Sequence, residues 1–200
     1  MNIQPSLPFS GEPAYVATFW AAFILWNGAE LFLNATRQSA PSDARDRGTF
    51  RLLALILAIA FSLDFAFTLL LPSAAIGSAA RPIFIVGMCC VLAGTVLRWY
   101  AVMTLGQYFT VNVATQTSQP VIEFGPYRYI RHPAYAGSLL ALLGFALALG
   151  NWAGALAMLI LPGSAFGYRI AVEEAALVLE LGEPYARYMR RTWRLIPFLI

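Results

Sequence analysis

Two short stretches of this 200-residue chain concentrate the residue types that can do chemistry. The first, Gly125-Pro-Tyr-Arg-Tyr-Ile-Arg-His-Pro-Ala-Tyr135-Ala-Gly137, is polar, aromatic and arginine-rich, holds the one histidine, and stops where an apolar run begins. Pro133 suits the first turn of a helix, where its missing N–H costs nothing. Such a turn presents neighbouring backbone N–H groups to an anionic or polar ligand. The same residues also read as an interfacial belt, with Tyr127, Tyr129 and Tyr135 at headgroup level and the arginines on lipid phosphates.

The second stretch is Arg169-x-x-x-Glu173-Glu174-x-x-Leu177, followed by Gly182-x-x-Tyr185-x-x-Tyr188-x-x-Arg191 and a terminal Pro197-Phe198. Two adjacent carboxylates just below an apolar span are expensive unless a counter-ion or a wet cavity receives them. Tyr185, Tyr188 and Arg191 fall at i, i+3 and i+6, on one face of a helix. Spacing alone fits an interfacial helix with snorkelling arginines equally well. No P-loop, dinucleotide fingerprint, nucleophile elbow or metal-binding His/Cys cluster is present. No metal site is expected, and Cys89-Cys90, adjacent in an apolar segment, reads as packing.

The elements that must position these residues lie in a membrane. Sixty per cent of the chain is hydrophobic, 12% is charged and the mean hydropathy is +0.67, far from the roughly one-quarter charged residues of soluble proteins. At about 20 residues per crossing, the chain has room for four or five spans in a single polytopic domain over 1–200. The expected spans are 15–33, 52–71, 82–105, 136–150 and 153–170, with a functional loop at 106–135 and an amphipathic interfacial tail at 169–198, broken near Gly182 and Pro184. Gly137, Ala141, Gly144 and Ala148 recur at helical spacing, which lets membrane helices approach closely, and Pro162-Gly163 should kink the fifth span. Glu30, Asp64 and Arg98 stand inside spans as a polar network, either paired for structure or lining a cavity.

All basic residues are arginines, and most fall in loops, which reads as topology rather than as a nucleic-acid surface. Arg37, Arg45, Arg47 and Arg51, with Asp43 and Asp46, share a side with Arg128 and Arg131, against Arg81 alone opposite. The functional loops are therefore expected in the cytoplasm and the N-terminus outside. The first residues carry no Arg or Lys, so the first span is expected to be retained rather than cleaved as a signal peptide. The all-arginine composition suggests a GC-rich bacterial source and hence a bacterial inner membrane.

The order and spacing of the two stretches resemble the isoprenylcysteine carboxyl methyltransferases and their bacterial and archaeal relatives. The likeness rests on Arg131-His-Pro-x-Tyr135, then Glu173-Glu174-x-x-Leu177, Gly182-x-x-Tyr185-x-x-Tyr188-x-x-Arg191 and Pro197-Phe198, and it covers about 106–198. The resemblance implies an all-α membrane enzyme of about five spans whose C-terminal helical segment closes a pocket for S-adenosylmethionine, with a lipophilic small-molecule or lipid-anchored acceptor reaching it from the bilayer. Carried over by position, it implies that His132, Tyr135, Arg131, Tyr127 and the acidic pair Glu173 and Glu174 bind cofactor, with Pro133 and Gly137 shaping the turn. It places Arg191 beside an acceptor carboxylate, with Tyr185 and Arg194 on the acceptor side and Glu174 and Tyr188 in the catalytic set.

Transfer from a sulfonium asks the protein mainly to align acceptor and methyl group at about 3 Å and to exclude water. A carboxylate acceptor needs no base, so paired hydrogen bonds from Arg191 would suffice to hold it, while Tyr185 and Tyr188 would wall the sulfonium by cation–π contact. A thiol or a phospholipid amine is an alternative acceptor on the same fold. A sterol-reductase-like enzyme using NADPH is a second reading, opposed by the acidic pair, and a non-catalytic membrane scaffold or small transporter is a third. The amino-terminal spans show no strong counterpart of the family's first-half signatures, and the oligomeric state is left open.

Overall fold

The computed structural model describes residues 12–36, 48–109 and 120–198. The architecture is all-helical: α1 (Pro13–Thr36), α2 (Thr49–Leu70), α3 (Ala80–Leu105), α4 (Pro133–Leu149), α5 (Trp152–Leu181) and a short α6 (Glu183–Met189), with two 3₁₀ turns between α2 and α3 and two between α3 and α4 among the described residues. α1, α2, α3 and α5 are long and apolar enough to cross a membrane, and α4 is a shorter apolar helix of 17 residues. At about 1.5 Å per residue α4 reaches roughly 25 Å, just under the hydrocarbon thickness. The chain is an integral membrane protein, with four full-length apolar helices and one short one among the described residues, where about five spans were expected.

The small residues of α4 do pack a neighbour, and that neighbour is α3. A Cβ placed on Gly94 would lie 2.5 Å from the Gly137 carbonyl oxygen, and one on Gly144 would lie 2.5 Å from that of Gly87. Backbone therefore rests directly on backbone over two turns. With lipid as apolar as leucine, this close dispersion contact replaces the hydrophobic drive that holds soluble helices together.

At one end of the bundle, fully buried Asn151 caps α5. Its side-chain oxygen accepts from the Ala153 and Gly154 amides at 3.0 and 3.2 Å, while its amide donates to the Phe67 and Leu71 carbonyls at 2.9 and 3.0 Å. One side chain so satisfies the orphan groups at the start of α5 and the end of α2.

Three expectations change. α5 does not end near 170: it runs unbroken through Pro162 and past the acidic pair to Leu181, so Glu173 and Glu174 stand on the spanning helix and not on a separate tail. Polarity does not end the helix because those side chains are received inside the bundle. The chain breaks at Gly182, whose φ of 60° is open to glycine and strained for other residues. Asp64 does not join Glu30 and Arg98: it is fully buried against Gly154, and among the described residues neither of its carboxylate oxygens has a hydrogen-bond partner. The loop holding Arg37, Arg45 and Arg47 lies outside the described residues, whereas Arg51 falls in α2.

Candidate active site

The loop before α4 and the C-terminal tail are sewn together by backbone. The Trp193 amide donates to the Tyr129 carbonyl at 2.9 Å, the Arg131 amide to the Trp193 carbonyl at 2.8 Å, and the His132 amide to the Arg194 carbonyl at 3.1 Å. Beneath this ladder, buried Glu174 gathers three cationic or imidazole groups. Arg131 Nε and Arg194 Nη2 each lie 2.8 Å from its oxygens and His132 Nε2 lies 3.3 Å away. Arg131 also donates to the Met189 carbonyl at 3.0 Å and to that of Thr192, and the Tyr188 hydroxyl donates to the Tyr127 carbonyl at 2.7 Å. Loop, α5, α6 and tail thus form one locked unit.

Beside this unit lies a cavity of about 470 Å³ to which all six helices contribute. Its polar end holds Tyr127, His132, Tyr135, Arg169, Glu173 and Tyr185, and its apolar end is lined by Leu53, Leu57, Phe61, Leu142 and Phe166. Tyr135 links the polar groups: its hydroxyl donates to Glu173 Oε2 at 2.9 Å and accepts from Arg169 Nε at 2.9 Å, while Arg169 Nη1 donates to Thr49 at 3.0 Å. The Tyr135 ring stands 5.7 Å from that of His132 and 5.3 Å from that of Phe166, at the border of the two ends. Burial, reinforced at Tyr185 by Glu173 and Glu174, raises the Tyr127 and Tyr185 phenols above their ordinary range. Both stay protonated near neutrality, offering donors and ring faces rather than bases.

The expected site residues separate into three groups. Tyr127, His132, Tyr135, Glu173 and Tyr185 line the cavity. Glu174, Arg131 and Arg194 stand behind it, already committed to one another. The rest are elsewhere. Gly137 does not shape a ligand turn: it is pressed on Gly94 and Arg98 in the α3–α4 seam. Pro133 is the buried first residue of α4, as its rigid φ allows. Arg191 points out to an exposed pairing with Glu123 at 2.5 Å, and it shares a shallow outer groove with Tyr188 and Arg128, away from the main cavity. The i, i+3, i+6 set is divided: Tyr185 lines the cavity, Tyr188 is buried against the Tyr127 carbonyl, and Arg191 lies past the end of α6 on the surface.

Absent from the expected site were Arg169, which sits at i−4 from Glu173 and shares its face, and Asn27 and Asn34, which flank Glu30 on α1 and face the cavity with it; Glu30 and Arg98, expected either to pair or to line a cavity, do both. A polar stripe on an otherwise apolar span was the available signal.

Fold and cavity together define a polytopic α-helical membrane protein with an intramembrane pocket that is carboxylate-bearing and aromatic at one end and apolar at the other. The profile of the "Isoprenylcysteine carboxyl methyltransferase (ICMT) family" matches residues 85–179. A protein-S-isoprenylcysteine O-methyltransferase of Schizosaccharomyces pombe is 33% identical over 108 residues, 53% of this chain and 46% of that protein. A probable one from Oryza sativa subsp. indica is 32% identical over 116 residues, 57% and 61% of the two chains. Among solved structures, a eukaryotic intramembrane Ras methyltransferase, isoprenylcysteine carboxyl methyltransferase, superposes with a TM-score of 0.62 at 25% identity over 74% of this chain and 53% of its own. The chain thus spans about half the length of the relatives it matches.

Proposed function

We propose that this chain is a membrane-embedded S-adenosylmethionine-dependent methyltransferase acting on a lipophilic acceptor carboxylate, as its relatives' names describe. The observation that carries the reading is the cavity, in which a carboxylate and tyrosine faces meet an apolar compartment within one enclosure.

The donor set fits the cofactor. Glu173 faces the cavity with the Tyr135 hydroxyl as its donor and, among the described residues, no arginine paired to it. It is therefore able to receive an ammonium group or ribose hydroxyls. Tyr135, Tyr127 and Tyr185 present π faces suited to a cation, and His132 stands at the same end, held by Glu174. When bound, S-adenosylmethionine supplies a methyl on a positively charged sulfur, and its transfer to a carboxylate forms one O–C bond, breaks one S–C bond and leaves no proton to remove.

The chain's own part is positioning and drying. Glu174 holds loop and tail shut over the polar end, so that end keeps its shape without reorganisation. Leu53, Leu57, Phe61 and Phe166 keep water from the apolar compartment, which strengthens every polar contact beside it. We place the polar end at the cytoplasmic surface, following the arginine bias, where a water-soluble cofactor and a bilayer-borne acceptor can both arrive.

The test is a radiolabelled methyl-transfer assay on the purified full chain, offered prenylcysteine acids, thiols and phospholipid amines in parallel. Base-labile label on the acids alone supports a carboxylate acceptor. Label on thiol or amine alone moves the acceptor class, and nicotinamide-dependent chemistry without methyl transfer would remove the reading.

A further inference from the structure

Not every arginine of loop and tail is drawn inward. Segments 123–132 and 182–198 hold Arg128, Arg131, Arg187, Arg190, Arg191 and Arg194 against Glu123 and Glu183. Arg131 and Arg194 are held by Glu174, whereas Arg190 and Arg191 pair in the open with Glu183 and Glu123. Arg128 has no carboxylate partner among the described residues, and its guanidinium lies over the Tyr129 ring, 5.8 Å from the centroid.

The outer groove that Arg128 and Arg191 share also takes in Glu123, Phe124 and Gly125. Gly125 rests on the last turns of α3: a Cβ placed there would lie 3.1 Å from the Tyr100 hydroxyl and from Thr104 Oγ1. α4 starts from the same loop at Pro133. The groove is therefore level with the ends of two apolar helices, at the depth of lipid headgroups. Rings around it face outward. Phe124 is 61% exposed and Tyr129 62%, and Trp193, next in sequence to groove-lining Thr192, meets the exposed Phe198 ring at 5.5 Å. Aromatics so exposed are an aggregation liability in water but form the usual belt at a membrane surface.

We propose that this outward face is a docking surface for anionic phospholipid, with Arg128 and Arg191 receiving the headgroup phosphate and Phe124, Trp193 and Phe198 lying among the upper acyl-chain carbons. Folding gains little from exposed ion pairs. A surface with more arginines than its own carboxylates can match is instead complementary to a negatively charged leaflet, and the guanidinium fork suits phosphate oxygens. An acidic protein segment would match the charge, but a phospholipid supplies the anion and the apolar chains together. The aromatic belt expected from sequence is divided accordingly: Tyr127 and Tyr135 turn into the main cavity, while Tyr129 and Arg128 stay outside. The inference stands apart from the methyltransferase reading, since it uses only the outer face and its level at the headgroups.

The experiment is native mass spectrometry of the full chain released from a neutral detergent that holds equimolar phosphatidylglycerol and phosphatidylcholine with identical acyl chains. The wild type should retain phosphatidylglycerol over phosphatidylcholine by at least about fivefold. Arg128→Gln combined with Arg191→Gln should bring the ratio to about one. Arg81→Gln, which removes an exposed arginine at the opposite end of the bundle, should leave it unchanged. Glu123→Gln, which frees Arg191, should raise the ratio by about twofold, a gain that partial unfolding cannot imitate. Glycerol phosphate, the headgroup without its chains, should not displace the retained lipid.

A ratio near one in the wild type overturns the inference, as does a preference that survives the double substitution or falls as far in Arg81→Gln. Displacement by glycerol phosphate would mark a site for soluble phosphate, and displacement by a poly-glutamate peptide would mark a protein-docking face. Either result would remove the lipid assignment and leave the methyltransferase reading untouched.

Discussion

The helices that carry the cavity are attached in two different ways. α3 and α4 meet backbone to backbone, with Gly94 on Gly137 and Gly87 on Gly144 and no space for a methyl group between them. α1 is held by ring contacts on Phe145 and Phe84 and, at the cavity wall, by the Glu30–Arg98 pair, and its polar stripe faces the cavity. A backbone seam has no rotamers to exchange and keeps its spacing, whereas ring and ion-pair contacts can re-form around an occupant. The family profile spans 85–179, which takes in the seam and most of the polar end, and leaves α1 and α2 outside. We read this division as a rigid half that holds cofactor and an adjustable half that sets the acceptor.

The strongest way to break the rigid half is Glu174→Ala. It strands buried Arg131 and uncouples the tail from α5, and loss of one partner of a buried pair costs about 3–5 kcal/mol. A large drop in thermal midpoint and loss of S-adenosylhomocysteine binding should appear together. Next come Gly94→Ala and Gly144→Ala, where overpacking the seam should cost about 1–3 kcal/mol each, read as a lower midpoint in detergent. Trp26→Phe, on α1, keeps a ring in place and should be milder, about 0.5–1.5 kcal/mol for altered ring contacts, changing acceptor binding while sparing S-adenosylhomocysteine. Should Trp26→Phe prove as damaging as either glycine change, the contrast between the two halves disappears. The smallest effect is expected of Arg191→Ala. Its pairing with Glu123 is exposed, such pairs contribute about 0–1 kcal/mol, and cofactor-analogue affinity should change less than about twofold.

Much of this fold could be read from spacing. The apolar runs placed the helices to within a few residues, and the small-residue stripe of α4 announced a close neighbour. The end of α5 could not be read this way, because the polarity of Arg169, Glu173 and Glu174 looks the same to a one-dimensional scan whether water or other side chains receive it. The same ambiguity governs the site. Adjacent Glu173 and Glu174 are one motif in sequence, yet about 100° of helical rotation separates them. One faces the cavity and the other is spent on Arg131, His132 and Arg194. Arg191 was legible as a residue on a helix face, but which side of that face turns inward is set by where Gly182 aims α6. Glu30 and Arg98, 68 positions apart, could be grouped with Asp64 from sequence because charges inside spans need partners, but only the packed bundle shows that Asp64 is left out.

The central claim is that the polar end of this cavity holds S-adenosyl cofactor through Glu173 and the tyrosines around it. Calorimetric titration of S-adenosylhomocysteine into the purified full chain, wild type beside Glu173→Gln, tests it most directly. The account predicts saturable one-to-one binding that falls at least about tenfold in Glu173→Gln, with the thermal midpoint of the unliganded protein little changed. No binding by the wild type, or equal binding by the two proteins, would contradict it.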